Sequence, residues 1–313
     1  MHEMGIFPVK NFQEGGLPGV EKIGAEEFAK MKVGDYGCYA CTTRCGNIFE
    51  VKEGKYAGAL SEGPEYETIF SFGGEIANTD PGAIIAADAL CDRLGIDTIS
   101  MGVVAGFVME LFERGIVTSS QLDGLTPTWG DDDVLFTLIN KVAKREGVGD
   151  ILAEGTMKAG KIFGKNAEYY AMTAKGMELP GYEPRAAKVH GLGYATSNIG
   201  GSHMYGYARQ EISGFKEPRE IDRFADEGKG DVAGWNQIKK AVEETGILCN
   251  FADSNITAQL ISDLFVAATG RSDLKDSKNV DKFGERIVTL ERCFNVREGF
   301  TRKDDTLPER MFK

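Results

Sequence analysis

The stretch from Asp80 to Gly115, DPGAIIAADALCDRLGIDTISMGVVAGFVMELFERG, decides the fold. It opens on Asp80-Pro81, an N-cap followed by a proline at the first helical position, where a missing N–H costs nothing. Gly95 stops the first segment, since glycine adopts the left-handed conformation that ends helices. Asp97 caps a second segment, which Gly115 closes. Apolar residues recur at three and four in both. Two helices joined by a tight corner are expected. The apolar run from Ile99 to Phe112 contains Glu110 and is too short to span a bilayer.

The same punctuation recurs along the chain. DDDVLFTLINKVAKRE (131–146) carries acids in its first turn and bases in its last, complementing the helix dipole. Asp150 precedes ILAEGTMKAGKIF, Asp231 precedes VAGWNQIKKAVEET, and ITAQLISDLFVAAT (256–269) and FGERIVTLERCFNV (283–296) follow. The strand signal is confined to GNIFEVKEGKYAG (46–58), which reads as a small hairpin. The expected fold is all-α and multihelical, two packed helical domains with long irregular Gly-rich connections. The boundary is placed between 1–170 and 171–313, ahead of the Gly-rich stretch.

A length of 313 residues suits two domains. The 36 basic and 48 acidic residues give a net charge of −12, which leaves no basic surplus to neutralise nucleic-acid phosphates or an anionic membrane. The opening MHEMGIFPVK lacks the apolar core of a secretory signal. A soluble cytoplasmic protein is expected, where six cysteines are poor evidence for disulfides.

Cys38, Cys41 and Cys45 form a compact C-x2-C-x3-C. Structural zinc usually pairs two separated knuckles, or one knuckle with two histidines, and the chain has only three histidines. Three close thiolates and one remote thiolate suit a [4Fe-4S] cluster. Zinc and unligated buried thiols are the competing readings. Cys91 and Cys293 sit inside helical patterns, as small apolar thiols do. Cys249 follows a helix end at Gly246 and is the expected fourth ligand. Joining it to Cys45 closes a loop of about 200 residues, costing roughly 5 kcal/mol. Metal–thiolate ligation supplies on the order of 10 kcal/mol or more.

Asp97 has a structural explanation as a cap. Asp92 lies in the last turn of its helix, where the macrodipole disfavours an anion by about 0.3–1 kcal/mol. The two flank one corner and could face a ligand rich in N–H donors. Glu67, beside an apolar run, could be a buried carboxyl with a raised pKa. A lone histidine such as His203 is more often structural than catalytic.

Taken together, CYACTTRCG, EGPEYETIFSFGG, CDRLGIDTIS, KGMELPGYEPRAAK, GLGYATSNIGGSH and GILCNFA resemble the tungsten-containing aldehyde:ferredoxin oxidoreductase family. The resemblance implies two helical domains packed on a separate β-rich N-terminal domain. It implies tungsten (or molybdenum) held by two molybdopterin dithiolenes beside a [4Fe-4S] cluster, with ferredoxin as electron acceptor and a possible homodimer. The cluster ligands carry over onto Cys38, Cys41, Cys45 and Cys249. A pterin-binding D-x-x-G-L-D segment carries over onto Asp92, Gly95, Ile96 and Asp97. Glu67 and His203 carry over as acid/base residues in oxidation of an aldehyde to a carboxylic acid.

Three departures accompany the resemblance. The second pterin segment, usually D-x-x-G-L-C, reads Glu244-Thr-Gly246-Ile-Leu248-Cys249, with the glycine displaced by one. The histidine of an inter-subunit iron site has no counterpart. The chain opens where the family leaves its N-terminal domain, and TLPERMFK reads as an early end, so a missing β-rich domain in cis or trans is expected. It should dock on an apolar or concave face. A non-catalytic iron–sulfur electron-transfer subunit is the alternative, as is a relative acting on another substrate such as an aromatic thioester.

Overall fold

The computed structural model describes residues 1–251 and 257–313. Helices hold 53% of the chain and strands 6%, so the fold is predominantly helical. Two compact units divide it, Met1–Ala186 with Leu307–Lys313, and Ala187–Thr306.

In the first unit α1 (Ala25–Met31) leads into a three-stranded antiparallel sheet of β1 (Lys32–Tyr36), β2 (Gly46–Glu50) and β3 (Leu60–Ser61), in the order β1-β2-β3. The hairpin expected over 46–58 forms, with its second arm a little later: β2 turns back antiparallel onto β3, and Gly58 N donates to the Val51 carbonyl at 2.8 Å. β2 pairs with β1 on one side and β3 on the other, and 51–59 is a turn. Then come α2 (Tyr66–Phe72), α3 (Pro81–Leu94), α4 (Thr98–Glu113), α5 (Asp132–Lys144), α6 (Val148–Leu152) and α7 (Thr156–Phe163). A two-stranded ribbon, β4 (Thr173–Ala174) and β5 (Met177–Glu178), closes the series. The single helix expected from Ile151 to Phe163 is broken, because Gly155 takes φ 83 between α6 and α7, and Asp150 lies inside the first turn of α6.

The Asp80–Gly115 stretch folds as its punctuation dictates. The Asp80 carboxylate accepts from Gly82 N, Gly95 ends α3 at φ 69, and the Asp97 carboxylate accepts from Ser100 N. Every residue from Met101 to Leu111 is buried, so α4 is a core helix, apolar all round. Gly102 and Gly106 let its neighbours approach. A Cβ at Gly102 would sit 2.4 Å from Ser71 Cβ, and one at Gly106 would sit 2.8 Å from Glu75 Oε1. Phe70 of α2 anchors the other side, edge-on to Phe7 and Phe12 at 6.2 and 5.7 Å. No single helix among the described residues is long and apolar enough to cross a membrane.

Glu110 is the one charge on the buried run of α4, and Arg310 answers it. The guanidinium donates to both carboxylate oxygens at 2.6 and 3.0 Å and to the Asn11 carbonyl. Arg114 and Asn11 donate to the same carboxylate at 2.7 and 2.6 Å. Neighbouring Glu75 is fully buried, and neither of its oxygens has a hydrogen-bond partner among the described residues. Burial, reinforced by Glu110 and opposed by Arg310, holds its carboxyl well above the usual range. Removing one member of a buried ion pair leaves the other charge uncompensated, at about 3–5 kcal/mol. Arg310→Met should cost about 3 kcal/mol in chemical denaturation, the low end, because Arg114 still serves Glu110.

The second unit is built from α8 (Lys188–Thr196), α9 (Arg209–Ile212), α10 (Lys229–Thr245), α11 (Ala258–Thr269) and α12 (Ser277–Arg297). Ile256, where the sequence pattern of α11 begins, lies outside the described residues. Val189, Ala208, Val232 and Ala233 form one core, and Val242, Ile261, Leu274 and Val280 a second. Lys229 and Glu211 pair at 2.6 Å in the interior. On α12, Leu290, Phe294 and Val296 are left exposed.

Candidate functional site

The pairing of β1 with β2 sets Tyr36 opposite Gly46 and pins both ends of the loop carrying Cys38, Cys41 and Cys45. Only glycine fits at 46, since a Cβ there would lie 2.3 Å from the Tyr36 ring. Cys41 N donates to the Cys38 carbonyl at 3.0 Å, and Ala40 and Arg44 turn the backbone through φ 57 and 45. The N–H and hydroxyl of Thr43 and the N–H of Arg44 face the Cys41 sulfur and hold its thiol below the ordinary range. Donors aimed at sulfur favour the thiolate, the form a metal binds. Among the described residues, three ligand atoms gather within 4.8 Å only at Asp131, Asp132 and Asp133. The aspartate group has local duties, with Asp131 capping α5 and Lys55 bridging Asp132 and Asp133.

Tyr36 ties this hairpin to the start of α2. Its hydroxyl donates to the Glu62 carbonyl at 2.9 Å. Burial raises the phenol, and the charges of Glu62, Glu65, Cys45 and Cys38 add to the effect. Glu65 in turn neighbours Asp88, which burial pushes up to about 6. Asp88 lies one turn before Asp92 on α3.

The α3–α4 corner carries Asp92, Gly95, Ile96 and Asp97. Gly95 N donates to the Asp92 and Cys91 carbonyls, and Ile96 N to the Cys91 carbonyl at 3.0 Å. The chain bends by 117° between α3 and α4. Asp92 and Asp97 are exposed and Ile96 is half-buried. Asp97 spends Oδ2 on Ser100 N at 2.7 Å, which leaves its other oxygen facing outward. Two exposed aspartates thus flank the glycine corner.

Glu67 is in the first turn of α2, and its Oε2 accepts from Gly181 N at 2.8 Å. Tyr66 donates to the carbonyl of the same glycine at 2.5 Å. The residue is partly exposed, yet Oε1 is shielded from solvent. Burial pushes the Glu67 carboxyl up to about 8, with the Gly181 N–H opposing and the nearby Asp97 charge adding.

His203, Glu244, Leu248 and Cys249 belong to the second unit. His203 is half-buried, and its charge joins burial in lowering buried His190 to about 3. The end of α10 repeats the geometry of the first corner. Ile247 takes φ 55 and donates to the Glu244 carbonyl at 3.0 Å, and Leu248 N donates to the Glu243 carbonyl at 2.9 Å. Glu244 thus stands where Asp92 does, Ile247 where Gly95 does, Leu248 for Ile96 and Cys249 for Asp97. The displaced glycine is accounted for: Gly246, at φ −82, is not the left-handed residue. A β-branched residue there costs roughly 1–2 kcal/mol. Glu244 and Cys249 are exposed.

Tyr36, Glu65, Asp88 and Gly181 were not legible as site residues in the sequence. The one available signal was Asp88, a charge among the alanines and isoleucines of α3.

The thiol loop lies between two strands, with donors aimed at Cys41, and the aspartate corner joins two helices of the same unit. The family model "aldehyde ferredoxin oxidoreductase, domains 2 & 3" matches residues 1–313, and the chain belongs to that oxidoreductase family. It is 37% identical over 317 residues to the tungsten-containing aldehyde ferredoxin oxidoreductase of Pyrococcus furiosus, covering 100% of this chain and 51% of that protein. The Thermococcus kodakarensis protein of the same description is 35% identical with the same coverage. The chain spans about half the length of these relatives. Among solved structures, the active-site complex BamBC of benzoyl coenzyme A reductase with 1,5-dienoyl-CoA is similar in fold. Its TM-score is 0.78 at 20% identity, over 99% of this chain and 53% of that one.

Proposed function

We propose that this chain supplies domains 2 and 3 of a cytoplasmic tungstopterin enzyme that oxidises an aldehyde to a carboxylic acid and delivers the electrons to ferredoxin. Aldehyde and water yield the acid, two electrons and two protons. The bound cofactors supply the electron chemistry, a two-electron acceptor at tungsten and a one-electron relay at a [4Fe-4S] cluster. Cys38, Cys41, Cys45 and Cys249 hold the cluster. The corners at Asp92–Asp97 and Glu244–Leu248 take the N–H edges of the pterins.

Glu67 and His203 handle the protons. A carboxyl near pH 8 is mostly protonated at neutrality, so it can donate a hydrogen bond to a carbonyl oxygen and still release its proton within the working range. Gly181 fixes the Glu67 carboxyl from one side. His203 acts as the second proton carrier.

The observation that carries the reading is the thiol loop framed by β1 and β2, with donors aimed at the Cys41 sulfur, in a chain matched over residues 1–313 by the family model. It is tested by combining the chain with a family first domain under anaerobic conditions with tungstate. Tungsten, iron and dye-coupled aldehyde oxidation should appear together, and the chain alone should oxidise no aldehyde. Iron without tungsten or turnover in the combined protein would make it an electron-transfer subunit instead.

A further inference from the structure

Val288, Glu291 and Asn295 of α12 are spaced by three and four residues, so they share one face of the helix. All three meet Asn198. Its Nδ2 donates to Glu291 Oε2 and to the Val288 carbonyl, each at 3.1 Å, which spends both of its protons. Asn295 Nδ2 donates in return to the Asn198 carbonyl at 2.7 Å. A few residues on, the hydroxyl of buried Tyr205 donates to the same Glu291 Oε2. One carboxylate oxygen therefore receives both ends of the segment 198–205, and that segment carries His203.

Between its ends the segment is soft. Gly200 takes φ 102 and Gly201 follows it, and glycine loses more conformational freedom on being fixed than any other residue. Ser202 N donates to the Gly200 carbonyl at 2.8 Å and Met204 N to Ser202 Oγ at 3.3 Å, bonds that stay within the loop. The helix it is fastened to is anchored. A Cβ at Gly284 would lie 2.7 Å from the Ile238 carbonyl oxygen, so α12 crosses α10 in close contact. Near its other end Arg292 grips Asp305 through two bonds, at 2.8 and 2.6 Å.

We propose that Glu291 is a positioning residue, which gathers both ends of the 198–205 loop onto α12 and so sets where the His203 imidazole stands. This rests on the reading of His203 as the second proton carrier. A carboxylate suits the task, because one oxygen can accept from two donors and a charged acceptor makes the stronger bonds. Glutamine at 291 would still offer an oxygen. Alanine would offer none.

The test reads the imidazole as well as turnover. The chain has three histidines, so the intact protein labelled with 13C at histidine Cε1 should give one cross-peak for each, with that of His203 assigned by its loss in His203→Asn. His190, its ring edge-on to Tyr194 and Tyr207 at 5.8 and 5.2 Å, reports that the second unit is folded. Glu291→Ala should sharpen the His203 peak and move it toward the position of a free histidine, as the loop gains fast motion. Tyr205→Phe drops one end only and should move it partway. Glu291→Gln should leave it in place. In the protein completed with a family first domain and its cofactors, Glu291→Ala should lower kcat roughly tenfold to a hundredfold with KM little changed.

A His203 peak unmoved in folded Glu291→Ala overturns the proposal, and if that variant does not fold, an unmoved peak in Tyr205→Phe does the same. A Gln variant shifted as far as the Ala variant would assign the effect to charge and overturn the clamp. So would a freed ring with kcat unchanged in an enzyme that needs His203. Full aldehyde oxidation by His203→Asn, with the ring freed in Glu291→Ala, would leave the clamp standing and remove only the proton-carrier reading.

Discussion

Cys41→Ala in the intact, anaerobically prepared protein should lose the broad visible absorbance of an iron–sulfur cluster and most of its iron. The reason lies in the hairpin. Cys41 is the thiol that receives the N–H and hydroxyl of Thr43 and the N–H of Arg44, which favour its thiolate. Losing a ligand typically costs far more than losing an outer hydrogen bond, which by itself weakens metal affinity about 10–100-fold. Cys293→Ala on α12 and Cys91→Ala within α3 should leave the absorbance unchanged. Retention of the full cluster by Cys41→Ala would show that the triple is not the ligand set.

The second large effect is expected from Glu67→Gln. Amide for acid keeps the shape and the bond from Gly181 N but removes the proton, and general acid–base contributions are about 10²–10⁴-fold. A fall of that size in kcat, measured with aldehyde and a dye acceptor, is the expected result. The wild-type rate should bend near pH 8, falling above it if the protonated acid is required, and the variant should lack the bend. Stability should move the other way. A carboxyl raised above its unfolded value contributes stability that is complete below the unfolded pKa and lost as pH rises through the folded one. For Glu67 that window runs from 4.5 to about 8, so the Gln variant should resist denaturant better than wild type at alkaline pH. A variant with full activity would remove Glu67 from the chemistry.

What could be read from the sequence was local. Asp80, Gly95 and Asp97 declare the α3–α4 corner because caps act within a few residues, and the structure forms them in place. β1 was missed because KVGDY has a glycine, two charged residues and a 45% exposed valine, and therefore no alternation. Its register against β2 is nevertheless what frames the cysteine loop. The corner at Glu244–Cys249 looked irregular by spacing, since its left-handed residue is isoleucine, a choice propensity disfavours. Asp88, Glu75 and Arg310 were out of reach for another reason. Their partners lie far away in the chain or in no periodic relation to them, and only the folded packing brings them together.

Glu110 and Arg310 are 200 positions apart, and the whole second unit lies between them. A ribosome delivers the N-terminal part first, so the first unit waits through the synthesis of the second with a carboxylate in its centre and no Arg310 to meet it. The unit finishes its interior only when Arg310 arrives. A chain stalled or clipped before that residue would carry every helix of the second unit and still leave the first with an open core, the state that chaperones and proteases triage.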